Sequence, residues 1–302
     1  MVHRRDVLIQ SAAALGALTL PRMGRAEVSV GDGRLITVSD GHLDLPKDFI
    51  LGPLSAEIAD PILARHEQTG DRLRQPCNVT LYQDADRTVL FDVGSGSDFV
   101  PTAGTLLDGL EAAGVMPDDV TDVVFTHGHP DHLWGLLDDF DDPAFPDARF
   151  HIGRIERDYW VDPATADEIG EARQSFAVGA KRRLDRIADQ IMAFDDGDEV
   201  LPGITALATF GHTPGHMAFE VGAKDPVFVI GDAIGNAHVS FVNPAWELGS
   251  DQDPKAAATT RAALVNRLAT SGHRVAGFHL PGGGLGRIET TSDGYRFVGE
   301  TL

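Results

Sequence analysis

One stretch of this chain concentrates side chains that can hold a metal: Thr126-His127-Gly128-His129-Pro130-Asp131-His132, an H-x-H-x-D-H pattern. Neutral imidazole and carboxylate are the ligands of borderline divalent ions such as zinc. In an extended loop His127 and His129 point the same way, because side chains alternate with period two. Once the chain turns at Pro130, Asp131 and His132 can face a second centre. The chain has 12 His and 46 Asp+Glu in 302 residues. Chance alone then gives roughly 0.003 matches to such a pattern, so coincidence is a poor explanation.

Further polar residues fall where apolar runs end. Gly211-His212-Thr213-Pro214-Gly215-His216 follows a run ending at Phe210. Gly231-Asp232 follows the apolar run 227–230, His279 follows 275–278, and Asp92 follows 88–91. Each alone reads as a loop residue. Beside H-x-H-x-D-H they supply what a pair of metal centres needs, namely more imidazoles and a carboxylate to bridge them.

The elements that must position these residues can be read from periodicity. The β-branched and aromatic run 122–126 predicts a buried strand before the histidine cluster, and 133–137 resembles the first turns of a helix after it. Strands are expected over 34–40, 79–82, 88–91, 149–152, 204–210, 217–221, 227–230, 274–278 and 295–298, with Asp84-Ala85-Asp86 as a hairpin turn. Helical spacing marks 105–114, 154–161, 176–191 and 255–270. The segment 52–70 reads as a loop with a short helix that could cover a pocket. Hairpins give way to helices in both halves of the chain. That predicts an α/β single domain of two packed sheets with helices outside.

Composition sets the outer limits. The chain is 42% hydrophobic and 24% charged, ordinary for a globular protein. Its net charge of -21 repels phosphate backbones, which argues against nucleic-acid partners. A single cysteine, Cys77, rules out an intramolecular disulfide and a cysteine-based zinc ribbon. Residues 1–26 have a basic start with Arg4-Arg5, a mildly apolar stretch over 7–20 and small residues up to Ala26. This predicts a twin-arginine signal peptide, periplasmic or secreted localisation, and a catalytic domain over 27–302. Cleavage after Ala26 removes four arginines and one aspartate and takes the charge from -21 to -24. The apolar stretch is too short to span a bilayer, so no stable membrane insertion is expected after cleavage.

The order H-x-H-x-D-H, Gly-His-Thr-Pro-Gly-His, Gly-Asp and a late His resembles the metallo-β-lactamase superfamily over essentially the whole mature chain. The resemblance implies an αββα sandwich and two divalent metal ions, with zinc the first candidate. It implies His127, His129 and His212 on one ion, and Asp131, His132 and His279 on the other. Asp232 would bridge them, and Asp92 would orient the ligand loop from outside. His216 matches a motif position that is not a ligand in the family, and His151, His238 and His273 read as ordinary histidines. The tail His279-Leu-Pro-Gly-Gly-Gly-Leu-Gly-Arg-Ile288 and the stretch Leu35-Ile-Thr-Val-Ser-Asp-Gly41 are similar to the methyl parathion hydrolase branch. By position, Phe99, Trp160 and Phe176 match aromatics of that branch's leaving-group pocket. The resemblance leaves a homodimer open.

Two close metals acidify a water and polarise a carbonyl or phosphoryl oxygen. No protein nucleophile is needed, and Asp131 or Asp232 is the candidate to handle the proton. The function implied is a dinuclear hydrolase of small esters, lactones or organophosphate triesters. An acyl-homoserine lactone lactonase is the alternative. Those lactonases usually carry Tyr three residues after the bridging Asp, where this chain has Gly235. A metal-binding module without turnover is the non-enzymatic reading. The diiron oxygen-reducing sites of this fold usually have an acid where this chain has His129.

Overall fold

The apolar runs pair largely in chain order, and the result is two seven-stranded sheets laid face to face. The computed structural model describes residues 27–300. The expected signal peptide, 1–26, lies outside the described residues. The first sheet takes β1 (Glu27–Val30), β2 (Gly33–Pro46), β3 (Arg72–Gln83), β4 (Thr88–Phe91), β5 (Asp122–Phe125), β6 (Arg149–Gly153) and β7 (Ile191–Phe194). The second takes β8 (Glu199–Leu201), β9 (Ile204–Ala208), β10 (Met217–Val221), β11 (Val227–Val229), β12 (Arg274–Ala276), β13 (Leu285–Thr291) and β14 (Gly294–Gly299). The helices are α1 (Lys47–Leu51), α2 (Ala56–Ala64), α3 (Leu106–Ala112), α4 (Pro130–Leu133), α5 (Arg154–Val161), α6 (Thr165–Glu168), α7 (Gln174–Arg186), α8 (Val239–Val242) and α9 (Pro254–Ser271).

Three apolar layers make this an αββα sandwich. Between the sheets, Val89, Phe91 and Val124 of the first sheet meet Phe219, Val227 and Val229 of the second. Outside the first sheet, Val123 and Phe150 pack with Leu110 of α3, Trp160 of α5 and Leu184 of α7. Outside the second, Phe228 and Val275 pack under Leu264, Val265 and Leu268 of α9. α9 has clear ends: the Asp253 carboxylate accepts from the Ala256 amide, Pro254 opens the first turn, and Gly272 closes it with φ 67°.

Strand direction decides where the chemistry falls. β4, β5 and β6 run parallel, so their C-terminal ends share one edge. β11 and β12 are likewise parallel, joined through α9. β9 and β11 both pair antiparallel with β10, so they share a direction too. Residues that follow β4, β5, β9, β11 and β12 therefore gather at the carboxyl edge, where open α/β sheets place their ligands.

Several elements differ from the sequence reading. The strands expected over 34–40 and 79–82 are longer, because they pair along nearly their full length as β2 and β3, across a bulge between Ser39 and Gly41. The helix expected over 176–191 ends at Arg186, and Ile191 begins a strand paired parallel with β6. Its apolar residues satisfy both periods, and the exposed edge of β6 decides. After the histidine cluster the helix is only α4, followed by a single tight turn, Trp134–Leu136. No helix among the described residues is long and apolar enough to cross a membrane.

Phe219 is fully buried between the sheets, with ring centroids 5.3 Å from Phe91 and 5.7 Å from Phe194. Phe219→Ala is expected to cost about 3–5 kcal/mol of unfolding free energy in a denaturant titration. A loss under about 1 kcal/mol would mean that the inter-sheet layer is not the core.

Candidate metal centre

The seven expected ligands arrive from four strand ends and meet at one buried focus. His127 and His129 lie on the loop after β5, with Asp131 and His132 in α4. His212 follows β9, Asp232 follows β11, and His279 follows β12. None of the seven exceeds 6% exposure.

One group is His127 Nε2, His129 Nδ1 and His212 Nε2. The first two atoms are 3.0 Å apart, and His212 Nε2 lies 2.9 Å from His129 Nδ1. The second group is Asp131, His132 and His279. His132 Nε2 is 3.5 Å and His279 Nε2 3.3 Å from Asp131 Oδ2. Asp232 reaches both groups, with Oδ2 3.4 Å from His212 Nε2 and 3.2 Å from His279 Nε2, and Oδ1 3.2 Å from His132 Nε2.

Four of the five imidazoles are aimed from behind. His132 Nδ1 donates to Asp92 Oδ2 at 2.8 Å. His279 Nδ1 donates to the Pro76 carbonyl at 2.8 Å, and His212 Nδ1 to Asp251 Oδ1 at 3.0 Å. The Thr126 hydroxyl donates to Asp92 Oδ2 at 2.7 Å, so at 3.0 Å it accepts from His127 Nδ1. These bonds fix which ring nitrogen carries the proton and leave the inward nitrogen bare. Asp92 also accepts from the Thr126 amide at 2.7 Å, and its own backbone takes the left-handed region at φ 66°. Asp tolerates that region better than most residues. Asp251 in turn is paired with buried Arg261, Nη1 to Oδ2 at 3.0 Å.

The charge balance of the site calls for cations. Burial, together with the neighbouring histidines, holds His127 and His129 well below the usual histidine range, so both are neutral. Burial alone would lower His132 as well, but Asp131, Asp232 and Asp92 overcome it and lift it to about 10. His279 is raised well above its ordinary value against burial, chiefly by Asp232. Burial works to raise Asp232, yet His279 and His132 hold it well below the carboxylate range. The carboxylates thus concentrate negative potential on His132 and His279, where a divalent ion would take the place of the proton they favour. Among the described residues, Asp131 Oδ2, His132 Nε2 and Asp232 Oδ1 are buried without a hydrogen-bond partner. A buried polar atom is costly to leave unpaired. Two divalent ions would satisfy all three atoms, and the donor set of imidazole and carboxylate fits such ions.

A pocket opens onto this focus. Leu43, Leu45, Phe49, Ile50, Phe99 and Phe176 form its apolar side, and His129, Asp131, His212, Asp232 and His279 its floor. Its cavity volume is about 40 Å³, and the space above it is open to solvent. Phe99 and Phe176, expected at the pocket, line it and meet edge to face at 5.8 Å. Trp160, also expected there, does not. It is fully buried, its indole N–H donates to Glu156 at 2.6 Å, and its ring lies under Gly128, behind the ligand loop. The face of α5 that carries it turns toward the core, not toward the mouth of the pocket.

Other participants had no signal in the sequence reading. Asp251 and Glu156 are two acids among many, and the pocket wall from β2 and α1 had no motif. Cys77 joins Asp131 and His279 within 4.8 Å, and burial pushes its thiol up to about 12. His216 stands outside the ligand set, as expected. It accepts from the Asp232 amide at 3.0 Å through Nε2, while Nδ1 meets Thr209 Oγ1 at 2.8 Å. His151 pairs with Asp122 at 2.8 Å, His238 stacks on His66 at 4.2 Å, and His273 leans on Phe228 at 5.7 Å, all apart from the focus.

The metallo-beta-lactamase superfamily profile matches residues 72–279, more than half of the chain, and the chain belongs to that superfamily. It is a metal-dependent hydrolase of this class. The hydrolase AbOPH of the beta lactamase superfamily is similar at 25% identity and TM-score 0.85, over 92% of this chain and 98% of that one. AidC, a dizinc quorum-quenching lactonase in complex with a product, shares the fold at 23% identity and TM-score 0.86, over 92% of this chain and 98% of that one. A probable metal-dependent hydrolase from Staphylococcus aureus shares it at 19% identity and TM-score 0.71, over 91% and 100%. Among curated proteins, none matches the sequence.

Two variants separate site from scaffold. Asp232→Ala is expected to lower the content of both metals and to reduce hydrolysis by about 10³-fold or more, several kcal/mol of transition-state stabilisation. Metal analysis with full occupancy and unchanged turnover would remove Asp232 from the bridge. Trp160→Ala should lower stability by about 3–5 kcal/mol in a melt and reduce aryl and aliphatic turnover alike. A selective loss on aryl substrates with an unchanged melting temperature would put Trp160 back in the pocket.

Proposed function

We propose that this chain hydrolyses small lactones or esters carrying an apolar tail, using a pair of divalent ions, zinc by the imidazole-rich donor set. His127, His129 and His212 would hold one ion, Asp131, His132 and His279 the other, and Asp232 both. When bound, such a pair supplies a hydroxide nucleophile at neutral pH and polarises the oxygen of the scissile group. The chain's own residues do the rest. The apolar side of the pocket takes the tail and excludes water, which leaves the reactive group over the histidine floor. Asp131 and Asp232 both stand on the pocket floor, and one of these carboxylates would take the proton of the attacking water. The observation that carries this reading is the juxtaposition in one pocket of that apolar wall and seven converging ligands.

The likeness to AidC, a dizinc quorum-quenching lactonase, supports the lactone side of the proposal. An aryl phosphotriester is the second reading, favoured by the three aromatic rings Phe49, Phe99 and Phe176 at the mouth. A non-catalytic metal module would have no use for an apolar-walled cleft opening onto its ions. We further propose that residues 1–26 direct export through the twin-arginine route, on the strength of Arg4-Arg5 before a mildly apolar stretch.

Steady-state hydrolysis of N-acyl lactones with short and long tails, aryl esters and aryl phosphotriesters tests the substrate proposal. The expected order is long-tail lactone above short-tail lactone, by about tenfold or more in kcat/KM, about 1.4 kcal/mol. Phosphotriester turnover exceeding every lactone would favour the second reading, and no turnover of any of them would reject both. For export, Arg4→Lys with Arg5→Lys is expected to leave the precursor in the cytoplasm. A processed periplasmic form in unchanged amount would reject that route.

A further inference from the structure

Glu156 stands on the first turn of α5, away from the seven ligands, yet it is fully buried. Its Oε1 accepts from the Gly128 amide at 2.9 Å and from the Trp160 indole at 2.6 Å. Its Oε2 accepts from the Thr213 hydroxyl at 2.7 Å and from the Gly215 amide at 2.9 Å. All four donors are neutral. A buried carboxylate is tolerable only when its oxygens are filled in this way. Gly128 lies between His127 and His129, and Thr213 directly follows His212. One carboxylate therefore ties together the two loops that bring the three imidazoles of the first group.

The seating of both loops is tight. A Cβ on Gly215 would lie 2.2 Å from the Glu156 amide nitrogen, and one on Gly128 would lie 2.5 Å from the Trp160 ring. Only glycine lets either loop approach α5 this closely. The loops come from different sheets, β5 from the first and β9 from the second. These hydrogen bonds join them under the site, beside one backbone bond, the Met217 amide donating to the Thr126 carbonyl at 2.9 Å.

We propose that Glu156 is a positioning residue for the metal centre: it clamps the 127–129 and 212–215 loops so that His127, His129 and His212 keep a common focus. The inference rests on the metal-dependent reading above. Glutamine has the same shape but presents an N–H₂ to donors that need an acceptor, so at least one loop loses its bond.

The test is a zinc titration of the metal-stripped protein against a chromophoric chelator, paired with the melting temperature of each metal-free variant. Glu156→Gln is expected to bind zinc about 10- to 100-fold more weakly than the unaltered chain. Trp160→Phe removes a donor that sits on neither loop, and should stay within about threefold of the unaltered chain. Thr213→Val removes one loop bond at nearly constant volume; it should weaken zinc binding at least about threefold, and it carries the test if Glu156→Gln does not fold. A merely structural Glu156 would lower the metal-free melting temperature and leave the zinc affinity of the folded protein unchanged. That result in Glu156→Gln, or in Thr213→Val where it stands in, would overturn the proposal, as would an equal affinity loss in Trp160→Phe. Two zinc ions on the unaltered chain with no weakening in the variants would reject only the clamp. No zinc on the unaltered chain would reject the clamp together with the function it serves.

Discussion

The structure depends on holding seven lone-pair donors together where water can screen them only from one side. Four imidazoles and two carboxylates point bare atoms at one another across 2.9–3.5 Å, and His127 completes the set. Protonation of His132 and His279 offsets the carboxylates in part, but the group as a whole is poorly solvated. Divalent cations bound there would draw the donors together, and metal binding would then be coupled to the order of this edge. The remainder of the fold is the apparatus that keeps the donors from relaxing apart. Asp92, Asp251, Thr126 and the Pro76 carbonyl each fix a ring from outside. Parallel strands deliver the donors to the same edge, and three apolar layers make those strands rigid.

The ligands themselves were legible because a metal site needs particular residue types in a short span. H-x-H-x-D-H is improbable by chance, and His212, Asp232 and His279 each stand just past an apolar run. The αββα architecture was legible for a related reason. Hairpin signals and helical periods alternate in both halves, and ten of the fourteen strands fall where those signals put them, while β1, β7, β8 and β13 were not expected. What stayed hidden depends on tertiary approach. Glu156 lies in an ordinary amphipathic helix, and nothing local marks which of its acids is buried. Asp251 sits in an irregular loop and acquires meaning only because Arg261 and His212 come to it from distant parts of the chain. Phe49 and Ile50 precede the 52–70 segment expected to cover a pocket, so the cover was placed a few residues late. Trp160 was assigned by its place in the chain, but a helical residue takes its role from the face it occupies, and this one faces the core.

Division of labour follows from the same geometry. The ions would act on any accessible carbonyl or phosphoryl oxygen, so selectivity falls to walls that do not touch them. Those walls come from β2, α1, the loop holding Phe99 and the start of α7, while the ligands come from strand ends. The superfamily can therefore keep one centre and change its substrates by altering elements that carry no ligand. Identities of 19–25% to structures whose fold is nonetheless shared are consistent with that separation.

The seven-donor centre is tested most directly by the metal content of the purified protein, read alongside hydrolysis before and after chelation. The expected result is two divalent ions per chain, loss of lactone or ester turnover when a chelator strips them, and recovery on adding zinc back. Full turnover by metal-free protein, or saturation of activity at fewer than two ions per chain, would contradict it.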